Sequence, residues 1–390
     1  MTPKFFRFLL MRKILLLAIL VCCFSQQAFA LTKEQFYQSG LLKMNRGRYI
    51  GAIDDFSQAI NQDLVYVDAY LRRATAYSRE GVNDQAIFDY NKVLFIDSNN
   101  FEAYQGRAQA YATLGVFNNA IKDYTKALEL KPNEINLYNK RGLAFANKKL
   151  YDDAIADFSS AIERDGSIPE VYFNRGISYG IKKMYDATAE DFSKAISLGM
   201  QDDELYYKRG KIYQELEFYD KALIDYAQAI SMDSRRSEYY FGHGMVAGIK
   251  GLYDVAISDF TQSLVIEPTD IQSFFNRGKI YDELSLYENA IGDFSSVLRI
   301  SPKDSGALRW RGLAHAKIGR LDDALQDLSR AIRYDPSNEQ IFIERGYVYK
   351  DKNMFDRAQE DFQKALELKP GSKKAFEAME SLQKAQTPKS

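Results

Sequence analysis

Small and large apolar side chains recur along this chain with a fixed period of 34 residues, so the hydrophobic and polar positions repeat as one block. Ala52, Ala86, Ala120, Ala154, Ala222, Ala256, Ala290, Ala324 and Ala358 form one ladder, and Thr188 fills its gap. Four residues after each stands Phe56, Tyr90, Tyr124, Phe158, Phe192, Tyr226, Phe260, Phe294, Leu328 or Phe362. Small residues return three positions further on, as at Ala59, Ala127, Ala161, Ala195, Ala229, Ala331 and Ala365. A third ladder runs through Gly142, Gly176, Gly210, Gly244, Gly278, Gly312 and Gly346, while Pro132, Pro268, Pro302, Pro336 and Pro370 mark the ends of blocks. Small side chains let two helices approach closely, and a large aromatic fills the space beside the contact. Each block therefore predicts a helical hairpin.

The pattern resembles the tetratricopeptide repeat family, whose repeats carry an aromatic at position 4, Gly or Ala at 8, Tyr at 11, Ala at 20, an aromatic at 24, Ala at 27 and often Pro at 32. Tyr138, Gly142, Phe145, Ala154, Phe158 and Ala161 show it within one repeat. The resemblance implies an all-α fold: a solenoid, a right-handed superhelix of antiparallel helix pairs, with ten repeats over residues 31–372. In each, helix A is expected over roughly positions 1–14 and helix B over roughly 17–30. Gly47, Gly81, Gly115, Gly251 and Gly319 fall in the turn between them, where Gly ends a helix at little conformational cost. Residues 373–390 are expected to form a capping helix, offering Phe376, Met379 and Leu382 to the core, and a disordered tail.

Residues 1–30 read as a signal peptide: Arg12 and Lys13, the apolar run Ile14–Phe24, and the small-x-small site Ala28-Phe29-Ala30. Met11 is an alternative start, since the basic pair, the apolar run and the cleavage site all lie beyond it and make a complete signal. The apolar run is too short to span a bilayer, so no stable membrane insertion is expected after cleavage. Both cysteines leave with the leader, so the mature chain has no thiol chemistry. The whole chain has 52 basic and 53 acidic residues; the leader takes four of the basic ones, leaving 48 against 53 and a net charge of −5. That balance predicts no nucleic-acid partner.

A second regularity is ionic. Position 23 is Asp in every repeat, from Asp55 and Asp89 to Asp361, and position 7 is Arg at Arg73, Arg107, Arg141, Arg175, Arg209, Arg277, Arg311 and Arg345. In an antiparallel hairpin the two levels differ by about 1.5 Å, so a ladder of charge-assisted pairs that sets the stacking register is expected. Pairing within a repeat or between repeats is left open by the sequence.

In this family helix A lines the concave wall, chiefly through positions 2, 5, 6, 9, 12 and 13, which vary along this chain. Asn139, Phe173, Tyr207, Phe241 and Phe275 hold position 5; Ile177, Lys211, Met245 and Lys279 hold position 9. Aromatics beside Lys and Met suit an amphipathic groove for a protein or peptide segment, although the same aromatics also suit packing between neighbouring A helices. No repeat has Lys at position 5, which disfavours the family's clamp for C-terminal carboxylates. Trp310 reads as an exposed anchor or a lid over the core.

His243 and His315 have no Cys or His partner at metal spacing and no nucleophile placed beside them, and no Gly-rich phosphate loop occurs. We therefore expect no catalytic residues, metal or cofactor. The expected function is an exported, periplasmic or secreted scaffold or adaptor that binds protein segments in cell-envelope or secretory protein assembly. A polysaccharide-export or glycan-binding accessory and a regulatory subunit of an enzyme are the alternatives.

Overall fold

The computed structural model describes Met11 and residues 31–386; among these the fold is all-helical, with 21 helices. The signal-peptide reading, apart from Met11, and the tail 387–390 lie outside the described residues. Contacts gather the described chain into two compact bodies, one reaching to Met184 and including Lys194–Gly199, the other comprising Tyr185–Ser193 and the chain from Met200.

The first body contains α1 (Lys33–Asn45), α2 (Tyr49–Gln62), α3 (Val67–Arg79), α4 (Asn83–Ile96), α5 (Phe101–Thr113), α6 (Phe117–Leu130), α7 (Ile135–Asn147), α8 (Tyr151–Arg164) and α9 (Pro169–Ile181). Helix α10 (Tyr185–Ser197) is divided between the bodies. The second contains α11 (Asp203–Glu215), α12 (Tyr219–Met232), α13 (Ser237–Ile249), α14 (Tyr253–Ile266), α15 (Ile271–Glu283), α16 (Tyr287–Ile300), α17 (Ser305–Lys317), α18 (Leu321–Tyr334), α19 (Glu339–Asp351), α20 (Phe355–Leu368) and α21 (Lys373–Gln386). Through the ten repeats, odd-numbered A helices and even-numbered B helices alternate at the bounds the repeat predicts, each A helix and the B helix α10 ending one residue early. Within each body, consecutive helices pack on one another. A helices of successive repeats also touch, as α11 does α13 and α13 does α15, whereas no pair of B helices meets to that extent. Each stack is therefore tighter along its A side.

The turn explains the sharp end of every A helix. Position 15 is left-handed throughout, with φ from 70° to 79° at Gly47, Gly81, Gly115, Gly251 and Gly319 and from 57° to 62° at Lys149, Lys183, Glu217, Ser285 and Asn353. The next N–H then reaches back five residues, as Val82 does to the Tyr77 carbonyl at 2.9 Å, satisfying a carbonyl the helix leaves free. Five side chains thus bear a strain that Gly would relieve. Lys149→Gly should stabilise by about 0.5–1 kcal/mol, because relief of about 1–2 kcal/mol exceeds the roughly 0.5–1 kcal/mol that Gly costs through unfolded-chain entropy. Thermal melts followed by circular dichroism check it, and a lower melting temperature would refute the strain.

The core follows the ladders. The position-24 residues from Phe56 to Phe362 are at most 3% exposed, and the alanines at position 20 are fully buried. At position 8 the glycine faces the ring across the hairpin so closely that a Cβ on Gly142 would sit 2.7 Å from Phe158. The last helix departs from expectation. α21 buries Ala375, Ala378 and Leu382 and half-buries Met379 against the Phe362 cluster, but Phe376 is half exposed. Its Cα lies one residue, about 100° of helix, away from the buried stripe that begins at Ala375.

The Arg–Asp ladder answers the question of pairing. Seven arginines, Arg73, Arg107, Arg141, Arg209, Arg277, Arg311 and Arg345, each donate from Nε and Nη2 to both oxygens of the Asp sixteen residues on, at 2.6–2.9 Å. These pairs are internal to a repeat. The remaining nitrogen, Nη1, donates to position 25 of the preceding repeat: Arg73 to Ser57, Arg141 to Thr125, Arg175 to Ser159, Arg209 to Ser193, Arg277 to Thr261. One planar guanidinium therefore staples its own hairpin and the one before it, a geometry Lys lacks. Aromatics at positions 4 and 11 flank it, as Tyr206 and Tyr213 flank Arg209. Two departures are compensated. In the first repeat Lys43 reaches Asp55 at 2.7 Å, and His243 replaces Arg where the preceding repeat has Ala227, with no side-chain acceptor, at position 25.

Candidate functional site

The nine residues singled out from sequence divide between the bodies: Asn139, Phe173 and Ile177 in the first, Tyr207, Lys211, Phe241, Met245, Phe275 and Lys279 in the second. In the first body Asn139 accepts a hydrogen bond from Asn174 at 3.0 Å and borders a cavity of about 450 Å³ that Asn133, Asn136 and Val171 also line. Phe173 and Ile177 are half-buried.

In the second body the position-5 rings lean back onto their own B helices. Tyr207 meets Tyr226 at 5.8 Å between centroids, Phe241 meets Phe260 at 5.8 Å and Phe275 meets Phe294 at 5.7 Å. All three are half-buried and form a floor, and Tyr207 also meets Tyr239 of the next A helix at 4.9 Å. Trp310 stacks over Phe294 at 6.3 Å and serves as a lid.

Position 9 stands above that floor. Lys211 and Lys279 are exposed and Met245 is half-buried. The Lys211 ammonium lies 5.6 Å from the Tyr207 ring and that of Lys279 lies 5.8 Å from the Trp310 ring. Among the described residues neither has a carboxylate at ion-pair distance. Between α13 and α15 opens a crevice of about 290 Å³, lined by Met245, Gly248, Ile249, Tyr253, Lys279 and Ile280 among others. A smaller cavity of about 200 Å³ touches Phe241 at the N-terminal ends of the same two helices. Sequence logic placed Met245, Lys279 and Phe241 on this face but did not show the crevice, which depends on the missing side chain of Gly248 and on Ile280 in the next repeat.

One feature of the A-helix side escaped sequence reasoning. Arg309 donates to buried Glu344 from Nε at 2.6 Å, with a second bond from Nη2, and Gln340 adds a third. Its signal is a spacing of 35 residues, the same that joins Asn139 and Asn174: position 5 of one repeat meets position 6 of the next.

The histidines hold structural places. His243 Nδ1 lies 2.6 Å from Asp259, in the ladder. His315 is half-buried and its Nδ1 has no hydrogen-bond partner. Burial pushes the His315 imidazole below its ordinary value, with Asp327 and Asp323 opposing and Arg311 and Arg320 reinforcing. The unfolded chain then binds more protons than the folded one once pH falls below the unfolded imidazole value of about 6.5. Stability from this group is therefore present above that pH and lost as pH falls toward the folded value. His315→Tyr, restoring the aromatic common at position 11, should reduce the drop in melting temperature between about pH 7.5 and 5.5; an unchanged drop would show that His315 is not its source.

Among the described residues no cluster of three or more His, Cys, Asp or Glu could hold a metal, and no helix is long and apolar enough to cross a membrane. No curated protein matches the sequence. Of solved structures, the C-terminal part of a TPR repeat-containing protein from Cytophaga hutchinsonii aligns at 22% identity over 62% of this chain and 98% of its own, with TM-score 0.54. YrrB, described as a TPR protein with an unusual peptide-binding site, aligns at 27% identity over 48% of this chain and 97% of its own, TM-score 0.46. MamA aligns at 27% over 43% and 92%, TM-score 0.41. A tetratricopeptide repeat model matches residues 67–100, 203–236, 271–304 and 339–372, and a TPR repeat model matches 113–149 and 317–353. With half of the chain covered by these models and an arginine-stapled array of A and B helices, the protein belongs to the tetratricopeptide repeat family, whose scaffolds typically mediate protein–protein interaction and are generally non-catalytic.

Proposed function

We propose that this chain is an exported adaptor that binds protein segments on its A-helix side and serves protein assembly in the cell envelope or secretory compartment. The observation that carries the reading is the second body's position-9 row, Lys211, Met245 and Lys279, exposed or half-exposed over a rigid aromatic floor beside the α13–α15 crevice. Because the floor is packed onto the B helices, a partner meets a surface already ordered, and little entropy is lost on the scaffold side. Export rests on the leader alone: N-terminal sequencing of the protein recovered from the envelope fraction should read from Leu31.

Phe241→Ala and Phe275→Ala would remove ring contacts with Phe260 and Phe294. Met245 also packs against the core cluster, but Met245→Arg keeps a long side chain whose charged end can reach solvent, and it is the chosen probe. Immobilised chain should capture defined polypeptides from envelope extract, and Met245→Arg, with helicity and melting unchanged, should lose them. Retention of the same polypeptides would move binding elsewhere. Recovery of glycans alone, or of an enzyme activity that depends on the chain, would favour the accessory or regulatory-subunit function.

A further inference from the structure

We propose that the position-9 row of the second body recognises an extended acidic segment with one large apolar side chain at its centre; this deepens, and rests on, the protein-binding function proposed above. The row reads cation, apolar, cation on three A helices that touch in succession: Lys211 on α11, Met245 on α13 and Lys279 on α15. Both ammonium groups are exposed and lie beside aromatic rings, and among the described residues neither has a carboxylate at ion-pair distance. They are attraction waiting for an anion.

The apolar centre has a receptacle. The crevice beside Met245, about 290 Å³, has the volume of roughly ten waters at about 30 Å³ each, enough for a Phe or Leu side chain. Met245, Ile249, Tyr253 and Ile280 supply apolar walls, and its depth comes from Gly248, where even a Cβ would lie 3.3 Å from Ile280 Cδ1. Glu283 lines one wall of the crevice and disfavours a ligand carboxylate there, leaving the pocket to the apolar side chain. The carboxylates of a ligand are thus directed along position 9.

Spacing makes the inference quantitative. Packed helix axes lie about 8–10 Å apart, so Lys211 and Lys279, two helices apart, are separated by about 18 Å. An extended chain advances about 3.3 Å per residue, which places the two acidic residues about five or six apart, each roughly three positions from the apolar anchor.

The test uses a fluorescein-labelled, end-blocked peptide with Phe at the centre, Glu three residues to each side and Ser and Gly elsewhere, titrated with the full chain by anisotropy. The peptide should bind, and replacing its Phe by Gly should weaken binding by about ten-fold or more. Added salt should weaken it further. The doubly substituted Lys211→Glu/Lys279→Glu chain should lose the acidic peptide and accept one with Lys in place of Glu, an exchange that misfolding cannot imitate. Failure of the acidic peptide to bind, or binding indifferent to the double charge reversal, overturns the inference. If the peptide fails while Met245→Arg still abolishes polypeptide capture, only the acidic–apolar specificity falls; if capture also fails, the binding function falls with it.

Discussion

Asp225→Ala is expected to be one of the most destabilising single substitutions in the chain, costing about 3–5 kcal/mol. Asp225 is almost fully buried and accepts two bonds of 2.7 Å from Arg209. Alanine leaves the guanidinium desolvated between Tyr206 and Tyr213 with only the Ser193 hydroxyl at 3.0 Å. The loss is the cost of an uncompensated buried charge, not the net worth of the pair, so removing both partners should be milder. Arg209→Met/Asp225→Ala should recover a large part of the stability. Because stacked repeats need not melt as one unit, the variant is best read by amide exchange as well as by melting: α11 and α12 should lose protection first, and the melting temperature should fall by roughly 5 °C or more. The exposed ends of Lys211, Met245 and Lys279 lie outside this contact, so peptide binding at a temperature where the chain remains folded should persist. A melt within a degree of the parent, with protection intact, would mean that the ladder is ornament.

That ladder shows how far a single sequence reaches. The bounds of the helices, the left-handed turn and the buried rings were legible because each recurs in the same frame, so one repeat vouches for the next. The staple to the neighbouring repeat was not. Its acceptor at position 25 is Ser57, Asn91, Thr125 or Ser193, chemically alike only in offering oxygen, and the clue that it matters is a joint exception: Ala227 stands where His243 replaces Arg. Phe376 was misplaced for a related reason. Among the described residues no hairpin follows α21, and the repeat frame that orients the other A helices gives no phase to its uncovered side. On the binding face, residue types pointed to Met245 and Lys279, but a crevice is a property of what is missing. Gly248 on α13 and Ile280 on α15 create it together, and neither departs from the composition of an ordinary helix surface when read alone. The position-5 rings look free in sequence because position 4 already supplies an aromatic; in the fold they lean on the position-24 rings.

The close approach of the hairpin helices can be tested most directly at Gly346. A Cβ there would lie 2.4 Å from Phe362 Cε1 and 2.7 Å from its Cδ1, well inside van der Waals contact. Phe362 is fully buried among Ala358, Ala365, Ala375 and Ala378, so the ring has no free volume to retreat into. Alanine is ambiguous, since it gains up to about 1 kcal/mol of helix propensity over Gly while forcing the ring to shift, and Ala74 and Ala108 already occupy this position in two other repeats. Valine removes the ambiguity, because its branched methyl groups and poorer propensity both oppose the packing. Gly346→Val should therefore cost about 3 kcal/mol or more, chiefly by prising α19 from α20 and loosening α21 behind them. The repeat formed by α17 and α18 suggests the remedy, for there Leu328 replaces the ring opposite Gly312. Gly346→Val/Phe362→Leu should regain part of the loss, whereas Phe362→Leu alone should be destabilising; if instead both changes prove additive, the two side chains do not compete for the same space and the contact is not what sets the helix spacing.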